Sequence, residues 1–232
     1  MSPTNKRPVV IIACKVMQDA LADVLSERML KHARFMDYGL HRSPALMTRT
    51  LQDAIDQIEQ PSLVFLGYGL CGNGLHGIRS GEHTLIIPKV DDCIAILLGS
   101  RRAYMREFNA VPGTYYLSRG WLESGSHPLK EYQEYVEKYD ADEAAWIMDQ
   151  QYRNYERLAL VTHSQDDLDK YRPQALAVAR YCRQWDMRYE EILGSDRFVR
   201  RMVKVLDDPT RAEEDFVVVP PGGDIRQELF RE

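Results

Sequence analysis

Three short apolar runs that end abruptly constrain the fold of this chain more than any other feature. They cover residues 63–66, 85–87 and 115–117, and each is followed by glycine, proline, acidic, cysteine or aromatic residues. A short run that is apolar throughout is typical of a strand buried in a parallel sheet. Because open α/β sheets bind ligands at the carboxyl ends of their strands, the residues that follow these runs are candidate functional residues.

The same alternation of strands and helices extends along the rest of the chain. Further strands are predicted at 9–13, 34–37, 158–162, 188–193 and 216–219. Helices are predicted at 19–31, 44–59, 94–109 and 198–206, and a further one runs from Asp167 or Asp169 to Trp185. This order predicts a three-layer α/β fold with mainly parallel strands.

The order strand, helix, strand, loop, helix, strand and glycine turn occurs twice, at 9–74 and at 158–223. It predicts two related βαβαβ halves, although two unrelated parallel halves would give the same order. The segment between them is charged and aromatic, and is interpreted as two helices broken near 139–141 that either pack on a sheet or form a lid. The predicted division is 1–126, 127–156 and 157–232. The strand-end loops, 220–224 among them, are expected to line one face.

Composition excludes several classes of protein. The chain of 232 residues is 44% hydrophobic and 28% charged, with a formal net charge of −5, which is typical of a globular protein and argues against nucleic-acid or anionic-membrane partners. No apolar run approaches the roughly 20 residues of a membrane span, and the first one is too short for a signal peptide. We therefore predict a cytoplasmic protein whose cysteines are thiols or metal ligands.

Three of the four cysteines lie at or just beyond a predicted strand: Cys14, Cys71 and Cys93. If the strands are parallel, all three lie at the same edge of the sheet, where soft thiolates suit zinc or an iron–sulfur cluster. Their spacing is not that of a CxxC signature, and buried cysteines also serve as small apolar residues. Cys182, inside a predicted helix, is interpreted as structural.

Further candidates surround these cysteines in the sequence. His41 and His163 are candidates for a further metal ligand or a general acid/base. Asp91 and Asp92 are candidates for catalysis, and one of them is expected to cap the following helix while the other supports a ligand or the substrate. Candidates for substrate binding are Tyr68, Gly69, Gly72, Asn73, Arg101, Tyr115 and Trp121.

Each substrate-binding candidate has a structural alternative. The glycines of the turn permit positive φ and the close approach of a ligand. They are equally well explained by a tight turn that brings Cys71 inward. The turn contains neither a Walker loop nor GxGxxG, so a phosphate site has little support. Tyr115 is as well suited to core packing as to a pocket wall.

The stretches DYGLHRSP, LGYGLCGNGLHGI, IPKVDDCIAILLGSRRAY and PGTYYLSRGW resemble the bacterial and archaeal family called domain of unknown function 1638. The resemblance covers nearly all of the chain. The family has no established activity, but its members often occur in genomes beside corrinoid-dependent methyltransferases. The resemblance therefore implies one-carbon metabolism and a corrinoid or methyltransferase partner.

Two functions follow from these observations. The first is a metal-thiolate α/β enzyme, a transferase or lyase, that acts on a small metabolite in one-carbon or methyl-group metabolism. The second is an accessory protein that binds a metal, a corrinoid or a methylated amine without turnover.

Overall fold

The computed structural model describes residues 7–231, except for the side chains of His41, Arg42 and Glu213. The strands predicted from the sequence are all present, and their ends agree to within about one residue. The strands are β1 (Val9–Cys14), β2 (Ala33–Met36), β3 (Leu63–Gly67), β4 (Thr84–Pro88), β5 (Thr114–Leu117), β6 (Arg157–Thr162), β7 (Arg188–Leu193) and β8 (Phe216–Val219). The three-layer α/β class with mainly parallel sheets is confirmed.

Ten α-helices connect these strands within the described residues, and short 3₁₀ turns supplement them. They are α1 (Gln18–Ala22), α2 (Glu27–Leu30), α3 (Pro44–Asp56), α4 (Ile94–Leu97), α5 (Arg101–Ala110), α6 (Arg119–Ser124), α7 (Pro128–Lys138), α8 (Ala141–Tyr152), α9 (Gln165–Cys182) and α10 (Arg197–Asp207). No helix in the part of the chain that the structure describes is both long and apolar enough to cross a bilayer.

The first structural unit comprises Met1–Ile96 and Arg197–Glu232. Its sheet has the strand order β2-β1-β3-β4-β8, and β1, β2, β3 and β4 run parallel. The central strand β3 is buried along its whole length, which explains why its sequence is apolar throughout rather than alternating. This sheet places the ends of β1, β3 and β4 side by side.

The second unit, Leu97–Asp196, contains the parallel sheet β5-β6-β7. Leu158 and Leu160 of β6 pack with Met148 of α8 and with residues of α9 in one apolar core. The predicted helix break is present, because Asp140 caps α8 by accepting a hydrogen bond from Glu143 N at 2.8 Å. The aromatic segment 128–155 is therefore part of the core of this unit.

The last strand departs from the predicted pair of halves. β8 joins the first sheet and pairs antiparallel with β4, whereas β6 pairs with β5 on one side and with β7 on the other. Strands β6, β7 and β8 thus do not form a second βαβαβ sheet, and the two units differ from the predicted segments 1–126, 127–156 and 157–232. Because β8 is antiparallel, its following loop 220–224 lies at the opposite edge from the cysteines, where Ser80 Oγ donates to Pro220 O at 2.8 Å.

Two predicted helices are interrupted. The helix predicted at 19–31 is divided into α1 and α2, and Ser26 caps α2 by accepting a hydrogen bond from Met29 N. The helix predicted at 94–109 breaks at Gly99, which has φ +87°, and restarts where Ser100 accepts a hydrogen bond from Ala103 N at 3.0 Å. In both places a serine caps the N-terminus of a new helix, so the helix is divided although the apolar residues keep a helical spacing across the break.

Candidate functional site

The three cysteine-bearing segments follow adjacent strands. Cys14 ends β1, Cys71 lies in the turn after β3, and Cys93 lies in the loop after β4. Two backbone hydrogen bonds join the last two segments, because Leu70 N donates to Val90 O and Cys71 N to Asp91 O, each at 2.9 Å. The parallel sheet therefore brings these residues to one edge, as the sequence predicts. We call Cys14, Cys71 and Cys93 the thiol cluster.

Two glycines permit the close approach of these segments. A Cβ atom on Gly67 would lie 2.5 Å from Cβ of Ala13, its register partner on β1. A Cβ atom on Gly69 would lie 2.6 Å from Cα of Asp92. Atoms cannot approach so closely, so larger residues at either position would force the segments apart.

The turn itself has an unusual backbone. Gly72 has φ +62°, which confirms the predicted positive φ, and its neighbours Cys71 and Asn73 have φ +47° and +70°. Asparagine tolerates this conformation, whereas a left-handed cysteine costs about 1–2 kcal/mol. The strain is concentrated at a residue of the thiol cluster, as is common at functional sites.

The thiols of the cluster influence one another electrostatically. Burial raises the pKa of Cys93 well above its usual range, and the nearby Cys71 and Cys14 raise it further. Burial also raises the pKa of Cys71 to about 12, with contributions from Asp92 and Cys14. The pKa of Cys14 is raised by burial and, to a smaller extent, by Asp37. All three are free thiols, and without a nearby cation they stay protonated at neutral pH.

Tyr68 places a phenolic hydroxyl among these thiols. The residue is only 2% exposed, and its hydroxyl has no hydrogen-bond partner among the described residues. Burial raises its pKa, and each member of the thiol cluster raises it further. Leaving a buried hydroxyl unpaired costs about 1–3 kcal/mol, so this group calls for an explanation beyond stability.

The two predicted acidic residues differ in role. Asp92 Oδ1 accepts a hydrogen bond from Ile94 N at 2.8 Å at the start of α4, and its charge raises the pKa of Cys71 and Cys93. Asp91 is exposed, and its backbone carbonyl oxygen accepts a hydrogen bond from Cys71 N. The bond between Ile94 N and Asp92 is an Asx turn that leads into α4, and the expected N-cap role of one of the two aspartates stays a prediction.

Sequence reasoning missed Asp37. It follows β2, its Oδ1 accepts a hydrogen bond from Gly39 N at 2.8 Å, and its charge raises the pKa of both Cys14 and Tyr68. The sequence pattern could have indicated Asp37, because it is a polar residue at the end of a predicted strand, the same kind of position that singled out the cysteines.

The remaining candidates are distributed over both units. Gly72 and Asn73 are exposed on the turn after β3, and the side chain of His41 lies outside the described part of the chain. The second unit contains Arg101 at the start of α5, Trp121 in α6, Tyr115 and His163.

Two of these second-unit residues have clear local contacts. His163 Nε2 lies 2.9 Å from the carbonyl oxygen of Leu97, within hydrogen-bond distance. The Tyr115 ring packs against Tyr152 and Tyr155 with centroid distances of 5.5 and 5.4 Å, so its core-packing interpretation has direct support.

The thiol cluster is not arranged as a finished ligand set. Across the described residues, no group of three or more His, Cys, Asp or Glu side chains is positioned to hold a metal ion as it stands. What the described residues do show is that Cys14 and Cys71 are close enough to Cys93 to raise its pKa.

The family model described as "Protein of unknown function (DUF1638)" matches residues 35–203. The match covers most of the chain, and the protein belongs to this family. The matched range includes Tyr68, Cys71 and Cys93, whereas Cys14 precedes it. No curated protein and no solved structure matches the chain.

Proposed function

We propose that this family member is a metal-thiolate enzyme that holds a zinc ion or an iron–sulfur cluster through Cys14, Cys71 and Cys93 and acts on a small metabolite. The observation that supports it is the placement of three thiols at three adjacent strand ends, where Cys14 raises the pKa of Cys71 and both raise that of Cys93. Thiolates repel one another, and a bound cation would supply the charge that keeps them deprotonated together.

The donor set favours a soft metal with an open position. Thiolates select zinc and iron–sulfur clusters over hard cations such as magnesium. Three protein ligands leave a fourth position for a substrate, which is the arrangement of catalytic rather than structural zinc sites. Such a position supports Lewis-acid chemistry of the kind that a transferase or a lyase uses.

The metabolic setting of the proposal comes from the family resemblance. One-carbon or methyl-group metabolism, with a corrinoid or methyltransferase partner, is what that resemblance implies. No residue of the thiol cluster argues for a particular substrate.

A second candidate is an accessory protein that binds a metal, a corrinoid or a methylated amine without turnover. One observation favours it. The carboxylates of Asp92 and Asp37, which lie near the thiols, already accept backbone hydrogen bonds from Ile94 and Gly39. Both carboxylates thus have a structural role in holding their own loops, so their presence beside the thiols does not require catalysis.

Metal and sulfide analysis of protein purified without oxygen tests the proposed site. We expect stoichiometric zinc in colourless protein, or iron with sulfide in brown protein. Cys14→Ser, Cys71→Ser and Cys93→Ser should each lose most of the metal while the fold remains, because the strands have their own apolar packing. Cys182→Ser is the matched control, since Cys182 is buried in α9 of the second unit. Full metal content in the triple serine variant would contradict the proposal.

Assays of the metal-loaded protein separate the two candidates. Methylated amines and free corrinoid are suitable first probes because the family resemblance implies them. A chemically changed product supports the enzyme, whereas saturable binding with the ligand recovered intact supports the accessory protein.

A further inference from the structure

The hydroxyl of Tyr68 is a polar group that the described residues leave unsatisfied. The side chain is almost completely buried, so bulk water does not compensate for the missing hydrogen bond. Buried hydroxyls normally find a partner, and an exception at a cluster of ligand-type residues points to a partner that comes from outside the chain.

The neighbours of this hydroxyl define where that partner would lie. Its electrostatic neighbours are Cys14, Cys71, Cys93 and Asp37, which belong to separate segments of the first unit. The hydroxyl makes a hydrogen bond to none of the three sulfur atoms. Asp37 does not accept from it either; the carboxylate of Asp37 accepts from Gly39 N instead.

We propose that Tyr68 donates a hydrogen bond to the exogenous ligand of the metal, and that this ligand presents an oxygen or unprotonated nitrogen as acceptor. The inference rests on the proposed metal-thiolate function and adds the class of ligand to it. A neutral tyrosine hydroxyl donates one hydrogen bond, so the ligand atom beside it needs a lone pair. Carboxylate, carbonyl, hydroxide or azide meets this requirement, whereas a quaternary or protonated amine does not.

The test uses the full-length protein loaded with Co²⁺, with azide as the probe ligand. Cobalt–thiolate absorption reports the sulfur ligands, and its change on titration reports azide binding. Tyr68→Phe removes only the hydroxyl. Tyr38→Phe is the matched control, because Tyr38 lies on the neighbouring loop, where its ring contacts Lys15 at 5.6 Å. Thermal unfolding of both variants establishes that they are folded.

We expect Tyr68→Phe to bind cobalt with unchanged stoichiometry and thiolate absorption, and to bind azide about tenfold more weakly or worse, since one hydrogen bond to a charged ligand is lost. Tyr38→Phe should bind azide as the unmodified protein does. Unchanged azide affinity in Tyr68→Phe would overturn the inference and leave the metal site intact. Loss of cobalt from a folded Tyr68→Phe would also overturn it, by making the hydroxyl part of the ligand set. Failure of the unmodified protein to bind cobalt would overturn the inference together with the zinc form of the proposed function, whereas iron and sulfide analysis tests the cluster form.

Discussion

Two buried tyrosines, one in each unit, differ in whether their hydroxyl groups have a hydrogen-bond partner. Tyr152 in the second unit donates from its hydroxyl to Glu131 Oε2 at 2.6 Å, and its ring packs on Tyr115 and Trp185. Tyr68 in the first unit has no hydrogen-bond partner among the described residues. The comparison is between a hydroxyl whose hydrogen bond stabilises the fold and a hydroxyl that leaves a buried donor available to a partner from outside the chain.

The cysteines differ in the same way. Cys182 is fully buried in the core of the second unit, and burial alone raises its pKa to about 12. In the thiol cluster, neighbouring thiols and carboxylates add to the effect of burial. Burial by itself is the behaviour of a small apolar residue, whereas mutual influence requires several ionisable groups in one place.

The largest effect on stability is expected from Tyr152→Phe. The change removes the hydroxyl that donates to Glu131, a carboxylate that is only 8% exposed, and should lower the free energy of unfolding by about 2 kcal/mol. Urea denaturation measures the loss. Metal content should not change. A loss below about 0.5 kcal/mol would show that the hydrogen bond contributes little, and would weaken the contrast between the two tyrosines.

Gly69→Ala is expected to have a somewhat smaller effect on stability but to cause a large loss of bound metal. The added Cβ would meet the backbone of Asp92 at 2.6 Å and push apart the segments that carry Cys71 and Cys93. Forced shifts of this kind cost about 1–3 kcal/mol. Metal content and urea denaturation, measured on the same preparation, separate the two consequences.

Gly72→Ala is the control for that change. The added Cβ would meet nothing closer than Cγ of Pro44 at 3.9 Å. The only expected cost is that of an alanine with positive φ, which lowers the free energy of unfolding by about 1 kcal/mol. Gly72→Ala should therefore retain more metal than Gly69→Ala. Equal metal loss in both variants would mean that the close approach at Gly69 does not matter for the site.

The smallest effect on stability is expected from Tyr68→Phe in metal-free protein. Removal of a buried hydroxyl without a partner should leave the free energy of unfolding unchanged or raise it by up to about 1 kcal/mol. Urea denaturation of metal-free Tyr68→Phe beside Tyr152→Phe gives the comparison in one experiment. A clear destabilisation by Tyr68→Phe would indicate that its hydroxyl is satisfied in solution.

Much of the fold could be predicted because it depends on local patterns. Apolar runs define most of the strands, and a positive φ in the turn after β3 follows from its glycines. The pairing of β8 could not be predicted in this way. An apolar run such as 216–219 specifies burial but neither its neighbour nor its direction, and its place beside β4 depends on contacts distant in sequence.

The candidate site was predictable only in part. Parallel strand ends bring Cys14, Cys71 and Cys93 to one edge, which sequence order alone indicates. The division between units was not predictable, and it assigns Tyr115 and His163 to the second unit. The unsatisfied hydroxyl of Tyr68 depends on side-chain packing in three dimensions, about which a sequence pattern carries no information.

X-ray absorption at the edge of the bound metal tests the central claim most directly, because it counts the sulfur atoms around that metal. For the unmodified protein we expect at least three sulfur scatterers at about 2.3 Å, with fewer protein thiolates in each single serine variant of the thiol cluster. A first shell of nitrogen and oxygen without sulfur, or a sulfur count that the serine substitutions leave unchanged, would contradict the claim that these cysteines hold the metal.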